Sequence, residues 1–475
     1  MSNPQCLSAA KVALQSTAAA VANQRKHDKQ RYVIPASREK KITADGEIDD
    51  PMLSHEENNL ITRVGAGSPM GELMRRYWIP ALLSEEIPEP DCPPVRVRLL
   101  GEDLVAFRDS RGRAGLLDEH CSHRGTSLFY GRNEECGLRC IYHGWKYDID
   151  GNVLETPAEP AGSTLKFKVH HPAYPCKEAA GIVFAYLGSK DRTPLFPNYE
   201  WTALAQDHLY VTKSFQDCSY LQGLEGECDS SHLSFLHRAF TDDKTGGGDP
   251  DMYGRDGAPQ LDGVETDFGV RMISCRNGGD GITYLRVSNF VMPCYGFIPT
   301  GGLKGNPEGH TVHAHVPIDD AHSLRFNIFF RRHRPVRDDE RHHDGEIGPD
   351  YVKARNLRND YLQDRQQQRS ETFTGMGKAF FVHDSCATES MGPIFDRSKE
   401  HLGMSDVTVI AIRKFLLRCV RALDAGQEPP HVIRTPEQND LRHIVCVVAK
   451  IDAGLDPRRY LKKLLIEQKS VAAKP

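Results

Sequence analysis

The sequence predicts an α+β protein, in which a small all-β domain precedes a larger domain whose antiparallel β-sheet is covered by helices. Short alternating runs separated by Gly, Asp and Pro fill residues 95–188 and indicate the small domain. Longer alternating runs indicate the second sheet, at 270–275, 282–292, 311–318 and 324–330. Helical spacing flanks these runs at 217–240 and 406–425.

Composition narrows the class of protein. The 475 residues suffice for two or three domains with cores of their own. The chain has 60 Lys and Arg residues and 65 Asp and Glu residues. Nucleic-acid and polybasic membrane binding need an excess of positive charge, so the composition argues against both. No apolar run approaches the roughly 18 residues of a membrane span. Thirteen scattered cysteines without a convincing signal peptide indicate a reducing compartment, so we expect a cytoplasmic protein.

The elements follow in order along the chain. Residues 1–51 are expected to be a basic, disordered extension. A transit peptide and a start codon placed too far upstream of Met52 are the alternatives, and the transit peptide is disfavoured. The next segment is expected to be helical, with a helix through 71–77 that Pro80 ends. A helical N-terminal part of the sheet domain is expected at 52–94 and the all-β domain at 95–190. The sheet domain itself is expected at 191–430 and a C-terminal segment at 431–475.

The last two helices carry local signals at their ends. A glycine-rich stretch at 246–248 is expected to end the helix of 217–240. The final helix begins at Ser405 or Asp406 and stops at Gly426, and its apolar residues form one stripe.

Two short loops of the all-β domain carry metal-ligand residues. Cys121 and His123 form C-x-H, and after a gap of 16 residues Cys140 and His143 form C-x2-H. Such a set can hold one zinc ion or a Rieske [2Fe-2S] cluster. Structural zinc sites usually draw both thiolates from one knuckle, whereas here each loop supplies one Cys and one His. The spacing therefore favours the cluster, with one iron held by thiolates and the other by imidazoles.

A second constellation lies in the sheet domain. Asp229, His232 and His237 are spaced i, i+3 and i+8, which places them on one face of an α-helix. Two histidines and a carboxylate form the facial triad of non-haem Fe(II) oxygenases. A buried, hydrogen-bonded histidine pair is the alternative, and Asp229 is itself a candidate third ligand.

These motifs carry a resemblance to a known family. CSHRGTSLFYG and CIYHGWKYDIDG resemble the cluster-binding loops of Rieske oxygenases, and GLEGECDSSHLSFLH resembles their iron-binding motif. Over residues 52–425 the chain is most similar to the oxygenase (alpha) component of Rieske non-haem iron aromatic ring-hydroxylating oxygenases of the phthalate 4,5-dioxygenase group, which includes O-demethylases. Further marks are GAGSPMGELMRRYWIP at 65–80, TFTGMGKAF at 372–380 and ESMGPIFDRSKEHLGMSD at 389–406.

The resemblance implies a helix-grip catalytic domain and specific residue roles. The cluster ligands would be Cys121, His123, Cys140 and His143, and the iron ligands His232, His237 and Asp384. Asp229 would then bridge a cluster histidine and an iron histidine across the boundary between chains, in a trimer or a dimer of trimers. His383 stands where the family usually has Gln and is a possible competing ligand. Asp396 is a rival carboxylate that is expected to tether Arg397 or cap a helix.

The resemblance also implies the cofactors, the partners and the reaction. Each chain would hold one [2Fe-2S] cluster and one Fe(II), and a separate flavin and iron–sulfur reductase or a ferredoxin would deliver electrons from NADH. The reaction would be hydroxylation or O-demethylation of an aromatic acid with O2. The alternative is a Rieske electron carrier or structural metal-binding protein without oxygenase activity.

The chain itself has no convincing G-x-G-x-x-G unit for NAD or flavin. Arg271, Arg276 and Arg286 lie on predicted strands; each is expected to face solvent, and one that pointed inward would suit a substrate carboxylate. His313 and His315 share a strand face and are expected to be structural.

Overall fold

The computed structural model describes residues 52–240, 256–299, 308–341 and 346–472, with side chains to residue 466. The expectations for residues 1–51 and for the glycines at 246–248 lie outside the described residues. No helix in the described ranges combines the length and apolarity needed to cross a bilayer.

The chain enters the fold through two short helices and a buried strand. Helix α1 (His55–Thr62) begins at a capping box formed by Ser54 and Glu57. Helix α2 (Pro69–Met74) is followed by strand β1 (Trp78–Leu83), which is buried throughout. The expectation of a helix ended by Pro80 is therefore wrong. Pro80 lies within β1, beside an irregularity in the pairing of β1, and such positions tolerate a residue without an N–H.

The small domain consists of short antiparallel strands. One sheet has the order β2-β3-β4-β9, and a second has the order β5-β6-β7-β8. Strands β10 and β11 pair with each other, and β11 pairs with β1 in a third sheet. The strands are β2 (Val95–Leu99), β3 (Glu102–Arg108), β4 (Ala114–Asp118), β5 (Arg132–Glu134), β6 (Gly137–Arg139), β7 (Lys146–Tyr147), β8 (Val153–Glu155), β9 (Ala173–Tyr174), β10 (Cys176–Ala179) and β11 (Ile182–Tyr186).

The larger domain is built on an eight-stranded antiparallel sheet. Its order is β12-β18-β17-β16-β15-β14-β13, and β19 pairs with β15 beside this path. The strands are β12 (Leu209–Gln216), β13 (Gln260–Glu265), β14 (Gly269–Gly279), β15 (Ile282–Val291), β16 (Tyr295–Ile298), β17 (Thr311–Pro317), β18 (Ser323–Phe330) and β19 (Val447–Asp452). This architecture confirms the predicted fold class.

Helices cover the two faces of this sheet differently. Val270, Met272 and Phe290 of one face join the main core with α6, while Ile273 and Leu285 of the other face form a smaller core with β19 and α7. The helices are α3 (Tyr220–Cys228), α4 (Arg365–Ser370), α5 (Phe380–Glu389), α6 (Val407–Asp424) and α7 (Pro457–Ala472). Helix α6 confirms the predicted helix over 406–425, with Asp406 at its N-cap and Gly426 in a left-handed conformation after its end. The expectation that it is the last helix is wrong, since α7 follows it.

Candidate metal centres

The two loops of the small domain have the same backbone design. The N–H of Gly125 donates to the Cys121 carbonyl at 2.8 Å, and the N–H of Gly144 donates to the Cys140 carbonyl at 3.0 Å. Both glycines have a φ of 74°, where L side chains are strained. Loop one joins β4 to β5 and loop two joins β6 to β7, so two similar turns each present one Cys and one His.

The side chains of these loops are sorted by depth. Cys121 and Cys140 are buried, whereas His123 and His143 are partly exposed, with ring centroids 4.5 Å apart. The His123 ring stacks on Trp145 at 4.8 Å, and its Nδ1 is buried without a hydrogen-bond partner in the described ranges. A buried nitrogen of this kind is costly unless a further group binds it. The arrangement fits a cluster with thiolates inside and imidazoles outside.

Hydrogen bonds support this pocket. The Tyr147 hydroxyl lies 3.0 Å from Cys121 Sγ, and burial raises the pKa of that tyrosine. His171, which the sequence analysis did not single out, lies 2.8 Å from Ser122 Oγ and 2.9 Å from the Asp118 carbonyl, and so ties loop one to β4. Burial also raises the pKa of the Cys140 thiol and so disfavours the thiolate. Binding to iron would stabilise the thiolate.

The second constellation does not lie on one helix. Helix α3 ends at Cys228, and Asp229 has an extended backbone while its N–H still bonds the Glu225 carbonyl. A short 3₁₀ turn follows at His232–Ser234. The predicted helix over 217–240 is wrong beyond Cys228, because Asp and Ser bond the backbone locally and favour caps and turns over helix interiors.

The structure nevertheless brings the triad together. Asp384 on α5 places Oδ1 3.0 Å from His237 Nε2 and 3.8 Å from His232 Nε2. Among the described residues, only these three form a group whose ligand atoms all lie within 4.8 Å of one another.

Asp229 lies outside this group. Its Oδ2 is 3.6 Å from Nδ1 of His232, the nitrogen opposite the one that faces Asp384. Its Oδ1 accepts a hydrogen bond from the Ser231 N–H at 2.6 Å. This position supports an orienting role over a ligand role, since metal-bound histidines typically donate their other N–H to a carboxylate.

Charges in this centre reinforce one another. Burial opposes ionisation of Asp384, yet the adjacent His237 and His232 lower its pKa to about 2. Burial likewise opposes the charge of His232, but the nearby carboxylates of Asp229 and Asp384 raise its pKa. The deprotonated carboxylate is the form that binds a metal ion.

Helix α5 supplies one neighbour that sequence spacing did not predict. His383, which is 2% exposed, lies with Nδ1 3.3 Å from Nδ1 of His237, so it contacts a member of the triad without joining the group of three. Burial and the nearby His237 lower its pKa to about 4. Asp396 caps the short turn at Arg397–Lys399, as one of its two expected roles, and Arg397 instead pairs with Glu225 at 2.8 Å.

The sheet face beneath the triad is polar. His313 Nδ1 and His315 Nε2 lie 2.8 and 3.2 Å from Glu227 Oε1, and Arg325 is 3.2 Å from the same oxygen. These contacts support the structural interpretation of both histidines. Glu227 had no signal in the sequence beyond its place before Asp229.

The three strand arginines differ. Arg271 is partly buried and donates to the His443 carbonyl at 2.7 Å. Arg276 is 1% exposed and donates to Ser230 Oγ at 3.2 Å, so the expectation that it faces solvent is wrong. The face of β14 that carries Arg276 packs against the segment that follows α3, and this packing shields the guanidinium of Arg276 from water. Arg286 is partly buried on the same face, opposite Ser274.

Family models match both halves of the chain. Residues 77–175 match the Rieske [2Fe-2S] domain, and residues 185–471 match the LigXa C-terminal domain like family. The phthalate 4,5-dioxygenase oxygenase subunit of Pseudomonas putida is 38% identical over 89% of this chain and 99% of its own length. The tert-butanol monooxygenase / tert-amyl alcohol desaturase oxygenase subunit of Aquincola tertiaricarbonis is 38% identical over 79% and 78%.

A solved structure shares the fold. The complex between oxygenase and ferredoxin in carbazole 1,9a-dioxygenase superposes with a TM-score of 0.51 at 19% identity, covering 86% of this chain and 99% of that chain.

A Rieske domain joined to a catalytic sheet domain defines the oxygenase component of a Rieske oxygenase. The chain belongs to the Rieske non-haem iron oxygenases, within the phthalate 4,5-dioxygenase group. Enzymes of this family combine a [2Fe-2S] cluster with a mononuclear iron and use NADH through a partner.

Proposed function

We propose that this chain hydroxylates or O-demethylates an aromatic carboxylic acid with O2, as the oxygenase component of a multicomponent system. A separate NADH-dependent reductase or a ferredoxin delivers the electrons. The observation that carries the proposal is the triad of His232, His237 and Asp384 beside a sheet face that bears buried arginine. The absence of a nucleotide-binding motif in the sequence supports a separate donor.

The proposal assigns the site residues as follows. The cluster is held by Cys121, His123, Cys140 and His143, and the iron by His232, His237 and Asp384. When bound, the cluster supplies single electrons and the iron activates O2 beside the substrate. Asp229 orients His232 from the side away from Asp384. The proposal also includes a cytoplasmic location and the division of the chain into segments 1–51, 52–94, 95–190, 191–430 and 431–475.

Arg276 is our candidate for the residue that binds the carboxylate of the substrate. Its guanidinium lies 3.2 Å from Ser230 Oγ and 3.1 Å from Ser274 Oγ. Ser230 directly follows Asp229 in the sequence. Arg286 lies on the neighbouring strand of the same face. Nη1 of Arg276 donates to the two serine hydroxyls and Nη2 donates to the Ser230 carbonyl, so a bound carboxylate would share or replace these bonds. A guanidinium has paired N–H donors that match a carboxylate, and water competes weakly in a buried site. The Pseudomonas putida relative is named for the aromatic acid phthalate, which agrees with this choice.

The oligomer we propose is a ring of three chains, or two such rings. Ile141 and Tyr142, beside His143, are 58% and 55% exposed. Phe235 and Phe373 form a second exposed apolar pair in the segments that flank His237 and Asp384. Each metal centre thus has an apolar rim, and joining the two rims between chains would bury both. Asp229 would then meet a cluster histidine of the next chain.

Metal analysis separates this proposal from an electron carrier. We expect about three iron atoms and about two acid-labile sulfides per chain. A carrier would hold about two iron atoms, and changing His232 or His237 would not affect it. Abundant zinc without sulfide would contradict the cluster itself.

The substrate class is tested with a reductase-driven product assay. Ring hydroxylation of phthalate should place 18O from O2 in the aromatic product, and a methoxybenzoate should release formaldehyde and keep its own phenolic oxygen. Their uncharged esters and tert-butanol should react poorly. Arg276→Gln should raise KM for the acids about 10- to 100-fold, because one or two charge-assisted hydrogen bonds are lost. Arg271→Gln is the matched control, since Arg271 lies on the opposite face of the same strand. An equal loss for acids and esters would exclude carboxylate binding by Arg276.

A further inference from the structure

His383 lies where it can fix the orientation of an iron ligand. Its imidazole is buried on α5, one residue before Asp384. Asp384 faces Nε2 of His237 at 3.0 Å, while His383 faces Nδ1 of the same ring at 3.3 Å. One helix therefore holds both nitrogens of His237.

The hydrogen-bond partners define the proton positions without any titration. If Nε2 of His237 binds iron it carries no proton, so Nδ1 of His237 must carry one and donate it. Nδ1 of His383 is then the acceptor. Nε2 of His383 lies 3.1 Å from the Gly377 carbonyl, which can only accept, so that nitrogen carries the second proton.

The end of this chain of bonds is itself held in place. The N–H of Gly377 donates to Gln367 Oε1 at 2.6 Å, and a Cβ at Gly377 would meet the Arg355 guanidinium at 2.6 Å. The Phe380 ring stacks on His237 at 4.2 Å and blocks rotation on its other side. These contacts together favour the orientation of His237 in which Nε2 lies towards Asp384 and His232.

We infer that His383 is a positioning residue, which accepts the Nδ1 proton of His237 and passes the restraint to the Gly377 carbonyl, so that Nε2 is held towards the iron. This inference rests on the proposed role of His237 as an iron ligand. Gln, which the resembling family usually has at this position, also offers one acceptor and one donor. The substitution therefore preserves the pattern of bonds while adding a rigid ring.

The test measures Fe(II) binding by protein that retains its cluster but has lost the mononuclear iron. Fe(II) alone is titrated anaerobically against a chelator. His383→Leu keeps the bulk but removes the acceptor, and it should weaken Fe(II) binding about 10- to 100-fold, as losses of such outer partners do. His383→Gln should restore most of that affinity. The Co(II)-substituted proteins should show altered ligand-field bands for the Leu variant alone.

The controls separate failure of this inference from failure of the proposed function. His310→Leu removes another buried imidazole, which has no hydrogen-bond partner within the described ranges, and should bind Fe(II) normally. His237→Ala must lose the mononuclear iron; if it does not, the proposed function fails. If it does, while His383→Leu binds as the wild type or His383→Gln is no better than Leu, the inference is overturned. Should the Leu variant not fold, His383→Phe, whose ring keeps the shape but has no nitrogen to accept the proton of His237, takes its place.

Discussion

Replacing Asp229 with Asn should leave both metal centres occupied but slow the passage of electrons between them. Asp229 Oδ2 lies 3.6 Å from His232 Nδ1, and Oδ1 accepts the Ser231 N–H at 2.6 Å. An Asn side chain has the same shape and can keep the bond from Ser231, so the loop should stay in place. Only the charge is lost, which reduces a charge-assisted interaction to a neutral one, a difference of about 1–2 kcal/mol. That corresponds to about a 5- to 30-fold slower transfer if the orientation of His232 limits the rate.

Single-turnover measurements test this value. The cluster is reduced first, substrate and O2 are added, and the return of cluster absorbance gives the rate of transfer. Iron analysis of the same samples reports occupancy, with Asp384→Ala as the variant expected to lose mononuclear iron. Asp262→Asn, at a partly exposed ion pair with Arg458, is the matched control. Loss of iron in Asp229→Asn together with retention in Asp384→Ala would refute the orienting role and, with it, the main reason for expecting a trimer.

Three further predictions follow from the geometry. His123→Ala and His143→Ala should each abolish cluster assembly, since neither loop offers a second imidazole; a normal visible spectrum in either variant would refute the ligand set. Glu225→Gln should lower the free energy of unfolding by about 3–5 kcal/mol in urea titrations, because it leaves the buried Arg397 without its carboxylate and leaves Arg413 with Glu400 alone. Burial raises the pKa of Glu225, but the two arginines outweigh burial and lower it. The ionised carboxylate therefore stabilises the fold above about pH 4.3, and this stabilisation is lost as the pH falls below that value. The stability of Glu225→Gln should depend less on pH in this acidic range. Removal of residues 1–51 should keep folding and iron content, because Ser54 already caps the first described helix; aggregation of the shortened chain would show that the removed segment packs on the domain.

The strands of the catalytic sheet were predicted well, because a two-residue period survives wherever one face is more buried than the other. The expected runs at 270–275, 282–292, 311–318 and 324–330 correspond to β14, β15, β17 and β18. Two helix predictions are wrong for local reasons. Pro80 looks like a helix stop in a sequence window, but β11 pairs with its segment as a strand. The helix after Tyr220 ends where Asp229 and two serines begin, although the histidine spacing continues to fit a helical period.

The candidate site shows the complementary limit of sequence reasoning. Local spacing grouped Asp229 with His232 and His237, but only tertiary structure distinguishes the carboxylate that joins the group of three from the one behind His232. Asp384 lies far along the chain on α5, so its assignment came from resemblance to a family and not from periodicity. Arg276 shows the same limit on the sheet: its strand was predicted, yet whether its guanidinium meets water depends on the segment around Ser230 packing over it. Metal ligands close in sequence are therefore predictable from spacing, whereas the residues that orient them and contact the substrate are defined by packing between distant segments.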